Sequence, residues 1–206
     1  MEQLTVGVLA LQGDFAKHVE MLALLKVKVQ EVRKPEDLRL CEGLIIPGGE
    51  STVMLRQIEF IQMREPLLDF AKKHPIFGTC AGLILMAKQV LSFPLKTLQL
   101  FDIEVERNAF GTQIDSFRTE ITLEAGSAAC RQIPAFFIRA PRIRSWGNEV
   151  SVLARLAESN LHENEPILIR QGHFLGATFH PELTSCSIVH AYFIGMIQDA
   201  KNGLIA

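Results

Sequence analysis

Apolar residues along the chain fall into two regimes. In the first ninety residues, short continuous apolar runs alternate with amphipathic stretches. Residues 4–11 (Leu-Thr-Val-Gly-Val-Leu-Ala-Leu) read as a strand buried on both faces, the habit of a central parallel strand. Asp14 stands at the N-cap of a following helix with apolar positions Phe15, Val19, Leu22 and Leu25. Residues 27–32 alternate as a second strand, and Gly43-Leu44-Ile45-Ile46 forms a third, stopped by Pro47-Gly48-Gly49. Ser51 is expected to cap the next helix, and residues 64–73 make another. Ile76 and Phe77 open a fourth strand that ends in Gly78-Thr79-Cys80-Ala81-Gly82, after which a helical apolar stretch runs to Ala87. Strands separated by helices predict a parallel sheet with right-handed crossovers.

Beyond residue 92 the pattern shortens. Strand-like pieces at 100–106, 117–123, 135–138, 150–157, 166–171 and 174–179 are divided by turn residues such as Gly111, Gly126, Gly147 and Gly172. This half predicts an antiparallel or mixed extension of the sheet. Residues 185–201 predict a closing helix. No repeat or linker interrupts the 206 residues, so 1–206 reads as one domain.

Composition removes several classes. With 48% apolar residues the chain fills a real core. Its 21 basic and 23 acidic residues leave no basic footprint for nucleic acid. The longest apolar stretch is too short to cross a bilayer, and the N-terminal residues lack the marks of a signal peptide. Cys41, Cys80, Cys130 and Cys186 are widely spaced, which suits neither a disulfide framework nor a zinc site. A reducing cytoplasm is the expectation, with no metal or organic cofactor.

Three segments carry chemistry. Cys80 sits at a bend between strand and helix, where free N–H groups and the positive helix end favour a thiolate nucleophile. A buried inert cysteine is the plainer alternative; the flanking glycines, which allow close approach to that backbone, argue against it. Phe179-His180-Pro181-Glu182 follows a strand and presents an imidazole and a carboxylate from one sheet edge. His180 suits a general base and Glu182 its orienting partner. His18, His74, His162, His173 and His190 are left to structural roles. Pro47-Gly48-Gly49-Glu50-Ser51 lies between strand and helix, where open α/β sheets bind ligands. The N–H groups of Gly48 and Gly49 could join that of Ala81 in an oxyanion hole. A phosphate loop is disfavoured, because Glu50 repels phosphate and no Gly-Lys-Ser/Thr ending is present. Arg107 and Arg139 could each fork a carboxylate, although spacing alone favours solvated arginines.

Taken in order, GTCAG, PGGEST and FHPE resemble the class I glutamine amidotransferases. The segments at 7–13, 107–111, 115–117 and 137–141 narrow the resemblance to the glutaminase subunits of pyridoxal 5′-phosphate synthase. The resemblance implies a three-layer flavodoxin-like α/β sandwich, with a mostly parallel central sheet and an antiparallel extension. It implies that Cys80, His180 and Glu182 form a triad releasing ammonia from L-glutamine through a thioester. Gly49, Glu50 and Ser51 would then hold glutamine, Glu50 taking the α-ammonium, with Arg107, Ile138 and Arg139 at further substrate positions. It also implies a partner: a dodecameric synthase core carrying up to twelve glutaminase subunits, without which the glutaminase is nearly idle. The chain departs from the family pattern at Thr112, where arginine is usual, and over residues 185–189, where acidic residues and an arginine are usual. The segment 128–132 also differs and is read as a loop. Two other readings stay open here. One is the glutaminase of another amidotransferase, such as imidazole glycerol phosphate synthase. The other is a catalytically silent subunit that regulates a synthase.

Overall fold

The structure is a computed structural model that describes residues 3–91, 93–107, 116–123, 131–156 and 164–204. Asn108 to Asp115 (with Thr112), Gly126, Cys130 and His162 lie outside the described residues. The first half of the chain supplies β1 (Thr5–Leu9), α1 (Phe15–Leu24), β2 (Lys28–Val32), β3 (Gly43–Ile46), α2 (Ser51–Phe60), α3 (Arg64–Ala71), β4 (Ile76–Thr79) and α4 (Ala81–Met86). The second half supplies β5 (Ala87–Leu91), β6 (Phe101–Glu106), β7 (Ser116–Leu123), β8 (Arg131–Ile138), β9 (Arg142–Trp146), β10 (Ser151–Arg155), β11 (Pro166–Gln171), β12 (Phe174–Ala177) and α5 (Ile188–Lys201).

Nine strands form one sheet in the order β2-β1-β3-β4-β12-β11-β10-β7-β8. From β2 to β12 the neighbours run parallel; from β12 to β8 they run antiparallel. The all-buried strands β1, β3 and β4 lie inside the parallel part. Alternate side chains go to opposite faces, as the two-residue period of a strand requires. Leu44, Ile46 and Ile76 join Met54, Ile58, Leu67 and Leu85 from α2, α3 and α4. Ile45, Phe77, Val6 and Val8 join Leu22 from α1 and Phe193 and Ile197 from α5. The molecule is therefore three layers, helix, sheet and helix. A second sheet, β5-β6-β9, lies beside the first of these cores. Among the described residues, no helix is long and apolar enough to cross a membrane.

Several local expectations change. The helix after Cys80 stops at Met86, and residues 87–91 instead form β5 beside β6. No glycine or proline marks that stop; pairing with β6 and burial of Val90 decide it. β9 was not anticipated, and its Arg142 and Arg144 pair with Glu165 and Glu106. β8 begins at Arg131, so Arg131 and Gln132 belong to a strand and not a loop. Pro134 sits inside it opposite Glu120, which is tolerated because β8 is the outer strand of the sheet. The cap of α2 is Glu50, whose carboxylate accepts the Val53 N–H at 3.0 Å; Ser51 is already helical, with a buried, unpartnered hydroxyl. Asp14 does stand at the N-cap of α1, but its side chain makes no capping bond. Before α5, the Thr184 hydroxyl donates to the Pro181 carbonyl at 3.0 Å and accepts the Cys186 N–H at 3.0 Å. That hydroxyl organises the turn where charged residues are usual.

His18 lies in the apolar stripe of α1 and is fully buried, as is His190 on α5. Their rings meet at 2.9 Å, Nδ1 to Nε2, with Phe77 edge-on to both. Burial pushes His190 down to about 4. Burial, then the neighbouring His190 and His180, hold His18 well below the ordinary value. Both rings take up protons less readily folded than unfolded. The contribution of His190 is complete above about pH 6.5 and is lost as pH falls toward 4, at up to about 1.4 kcal/mol per pH unit, and that of His18 is lost in the same direction. Chemical unfolding between pH 6.5 and 4 should show this loss, and His190→Gln should reduce the slope by about one proton. An unchanged slope in that variant would mean that His190 titrates normally in the native state.

Candidate active site

The site forms where β4 and β12 leave the sheet together. Their register sets Thr79 beside Ala177, and the Cys80 N–H donates to the Ala177 carbonyl at 2.9 Å. Cys80 then turns sharply, with φ 47° and ψ −105°, into α4. A non-glycine residue held at such angles stores on the order of 1–3 kcal/mol of strain, the mark of a nucleophile elbow. Gly82 lets α4 seat closely: a Cβ there would lie 2.0 Å from the Ile46 carbonyl oxygen of β3. The motif's second glycine thus serves helix-on-sheet packing. Cys80 is buried, and its Sγ is 3.8 Å from the Ile138 carbonyl oxygen.

Phe179, fully buried against Phe137, anchors the chain leaving β12. The His180 N–H donates to the Phe136 carbonyl at 2.8 Å, and a 3-10 turn over Pro181–Leu183 brings Glu182 back beneath the imidazole. Nδ1 of His180 meets Oε1 of Glu182 at 2.7 Å, both side chains nearly solvent-free. Burial opposes a charge on the ring. Hydrogen bonds to Cys80 and Glu182, and their negative charges, outweigh it and raise His180 to about 10. At neutral pH the imidazolium is therefore the stable form. Gly48 backs the ring, since a Cβ there would lie 2.4 Å from His180 Cε1.

The loop after β3 is tied down on several sides. The Glu50 N–H donates to Gln12 Oε1 at 2.8 Å. One carboxylate oxygen of Glu50 caps α2; the other takes Arg107 Nη2 at 2.9 Å. Partial burial works against its ionisation, but the N–H groups of Val53 and Thr52 and the Arg107 guanidinium hold the carboxyl below its ordinary value. Arg107 also donates to Thr52 Oγ1 at 3.3 Å and lies over the Phe93 ring. The Gly48 carbonyl accepts the Asp14 N–H at 3.3 Å, and in a trans peptide the Gly49 N–H points the opposite way.

These pieces enclose a cavity of about 370 Å³. Gly49, Glu50, Ser51, Cys80, Ala81, Arg107, Ile138, Arg139 and His180, all singled out in the sequence, line it. Glu182 is behind His180 and does not line it. Nor does Gly48, whose place against the imidazole distinguishes it from the other two residues expected to form an oxyanion hole. Arg139 is exposed at the rim, with a left-handed φ of 44°. Asp14 and Ile84 also line the cavity, and Gln12 braces the loop; motif reading passed over all three. Their one signal was position: Gln12 and Asp14 directly follow a buried strand, where sheet sites collect. Carboxylates at Glu50 and Asp14 and guanidiniums at Arg107 and Arg139 give the walls both signs, suited to a zwitterionic amino acid. Among the described residues, Asp14, His180 and Glu182 bring ligating atoms within 4.8 Å of one another. Two of the three, His180 and Glu182, are already joined by their hydrogen bond.

A model of the SNO glutamine amidotransferase family matches residues 8–199. The chain is 45% identical over 194 residues to the pyridoxal 5′-phosphate synthase subunit PdxT of Thermosipho africanus, spanning 94% of this chain and 98% of that protein. It is 46% identical over 197 residues to the PdxT of Desulforamulus reducens, spanning 95% and 100%. A crystal structure titled glutamine amidotransferase superposes with a TM-score of 0.85 at 40% identity, over 94% of this chain and 98% of that one. The PurLQS structure from Thermotoga maritima shares the fold, with a TM-score of 0.63 at 14% identity, over 97% of each chain. With the family match running through every segment that builds the cavity, the chain belongs to the SNO glutamine amidotransferase family.

Proposed function

We propose that this chain is the glutaminase subunit of a pyridoxal 5′-phosphate synthase, with residues 1–206 acting as one glutaminase domain. The observation that carries the chemistry is Cys80 on a strained elbow, lining one cavity with His180, whose imidazole Glu182 holds at 2.7 Å. The PdxT relatives support the choice of pathway over the histidine branch. Glutamine enters with its side-chain amide at Cys80. Its α-ammonium faces Glu50 and its α-carboxylate the arginines. The Cys80 thiolate forms a C–S bond to the amide carbon, and the carbonyl oxygen gathers the negative charge near the Gly49 and Ala81 N–H groups. His180 gives its proton to the departing nitrogen, so ammonia leaves and a thioester remains. Water, deprotonated by His180, then releases glutamate and restores the thiolate. Ammonia passes to a separate synthase subunit, with up to twelve glutaminase subunits on a dodecameric core as the expected assembly. A cytoplasmic location fits the free thiols of Cys41, Cys80 and Cys186.

The direct test is glutamine hydrolysis by this chain with the purified synthase. Cys80→Ala should abolish ammonia release and leave glutamine binding by calorimetry intact; loss of binding would make Cys80 a structural residue. Ammonium salts should replace the chain in pyridoxal 5′-phosphate formation, whereas a continued need for it would point to a silent structural subunit. The working form needs a protonated His180, so the rate should decline only as pH nears about 10. In Glu182→Gln that decline should move to lower pH. Arg107→Met should raise KM for glutamine roughly tenfold, about 1.4 kcal/mol, with a smaller effect on kcat. An unchanged KM would confine Arg107 to bracing Glu50.

A further inference from the structure

Glu182 has two carboxylate oxygens, and the triad uses one. Oε1 takes the His180 bond, while Oε2 is buried with no full hydrogen bond among the described residues. A buried anionic oxygen without a donor is costly, so the group aimed at it is informative. That group is His18, with Nε2 at 3.4 Å from Oε2. The same nitrogen is 3.2 Å from the hydroxyl of Thr79, the residue before the nucleophile. On its far side, His18 Nδ1 is 2.9 Å from His190 Nε2. His18, Thr79 and His190 are fully buried.

A neutral imidazole has one N–H, so two arrangements exist. If His18 donates from Nδ1 to His190, its Nε2 lone pair faces the Glu182 carboxylate. The remaining N–H, on His190 Nδ1, is then stranded without an acceptor among the described residues. If His190 donates from Nε2 to His18, then His18 Nε2–H points at Glu182 Oε2 and Thr79. On His190 a lone pair at Nδ1, not an N–H, then goes without a partner among the described residues, and a buried unpaired acceptor is tolerated better than a buried unpaired N–H. The second arrangement gives both imidazole N–H groups an acceptor, with the Thr79 hydroxyl, a donor to His18 Nε2 in the first, now accepting from it. The surroundings also keep both rings neutral. A charged His18 would cancel the carboxylate charge that stabilises His180.

We propose that His18, its tautomer set by His190, is a positioning residue for the triad: it donates to the far oxygen of Glu182 and so keeps the near oxygen on His180 Nδ1. The proposal rests on the triad reading above. Among the described residues, the titratable groups around it are His180 and Glu182 after β12, His190 on α5, Cys80 after β4 and Asp14 before α1.

His18→Phe removes the donor and keeps a ring. In complex with the synthase, it should lower kcat for glutamine hydrolysis roughly tenfold or more, the scale on which partners behind a working ligand act, with KM nearly unchanged. Its alkaline decline should move to lower pH, as in Glu182→Gln. His18→Gln, whose amide nitrogen reaches the Nε2 position, should restore most of both. His18→Phe should add little in a Glu182→Gln background. A His18→Phe enzyme with the wild-type pH profile, or one that His18→Gln does not rescue, overturns the proposal. A second measurement needs no variant to fold: imidazole ¹⁵N shifts of the wild-type chain should place the proton on Nε2 of both His18 and His190. A proton on Nδ1 of His18 also overturns it. Should Glu182→Gln itself leave rate and pH profile untouched, the triad reading fails instead, which separates the two outcomes.

Discussion

The site depends on one backbone register. Thr79 pairs with Ala177 across two parallel strands, and the Cys80 N–H closes the ladder on Ala177. Half the chain separates the thiol from its imidazole in sequence, yet both leave the same sheet edge one strand apart. A slip of one residue would turn the side chains of β12 to the opposite face. It would carry Phe179 out of its core and His180 away from Cys80. The sheet is thus the device that sets how far Cys80 lies from His180, and the cores on its two faces hold the register.

Around that edge, electrostatics and packing share residues. Glu182 is a buried carboxylate, which the interior accepts only with hydrogen-bonding partners and a compensating charge. His180 supplies both on one side, and His18 Nε2 lies 3.4 Å from the other oxygen. Glu50 similarly unites two roles, capping the N-terminus of α2 and holding Arg107 at the cavity wall. Glu50 and Arg107 on this edge each complete a local structural contact.

The legible parts of the sequence were those with a local physical signature. Continuous apolar runs at β1, β3 and β4 named the buried parallel strands, and glycines around Cys80 marked the elbow. The Phe-His-Pro-Glu segment announced a histidine and carboxylate turning back on each other. What stayed hidden depends on partners far along the chain. Residues 87–91 are a strand because β6 lies beside them, and Arg131 to Pro134 extend β8 because Glu120 to Leu123 pair with them. Ser51 looked the better cap, but Glu50 reaches the free N–H while also pairing with Arg107. His18 and His190 carry no motif. Their only trace was a histidine within each helix's apolar stripe, and its meaning appears once Glu182 is between the helices and the thiol.

The strained backbone at Cys80 has an evolutionary consequence. Glycine adopts its positive φ without penalty, so drift at this position has a downhill direction toward a more stable, chemically inert protein. The thiol persists only while selection on ammonia supply outweighs that gradient. In a lineage relieved of the demand, the elbow is where decay should begin, with backbone strain relieved at the expense of one small buried side chain.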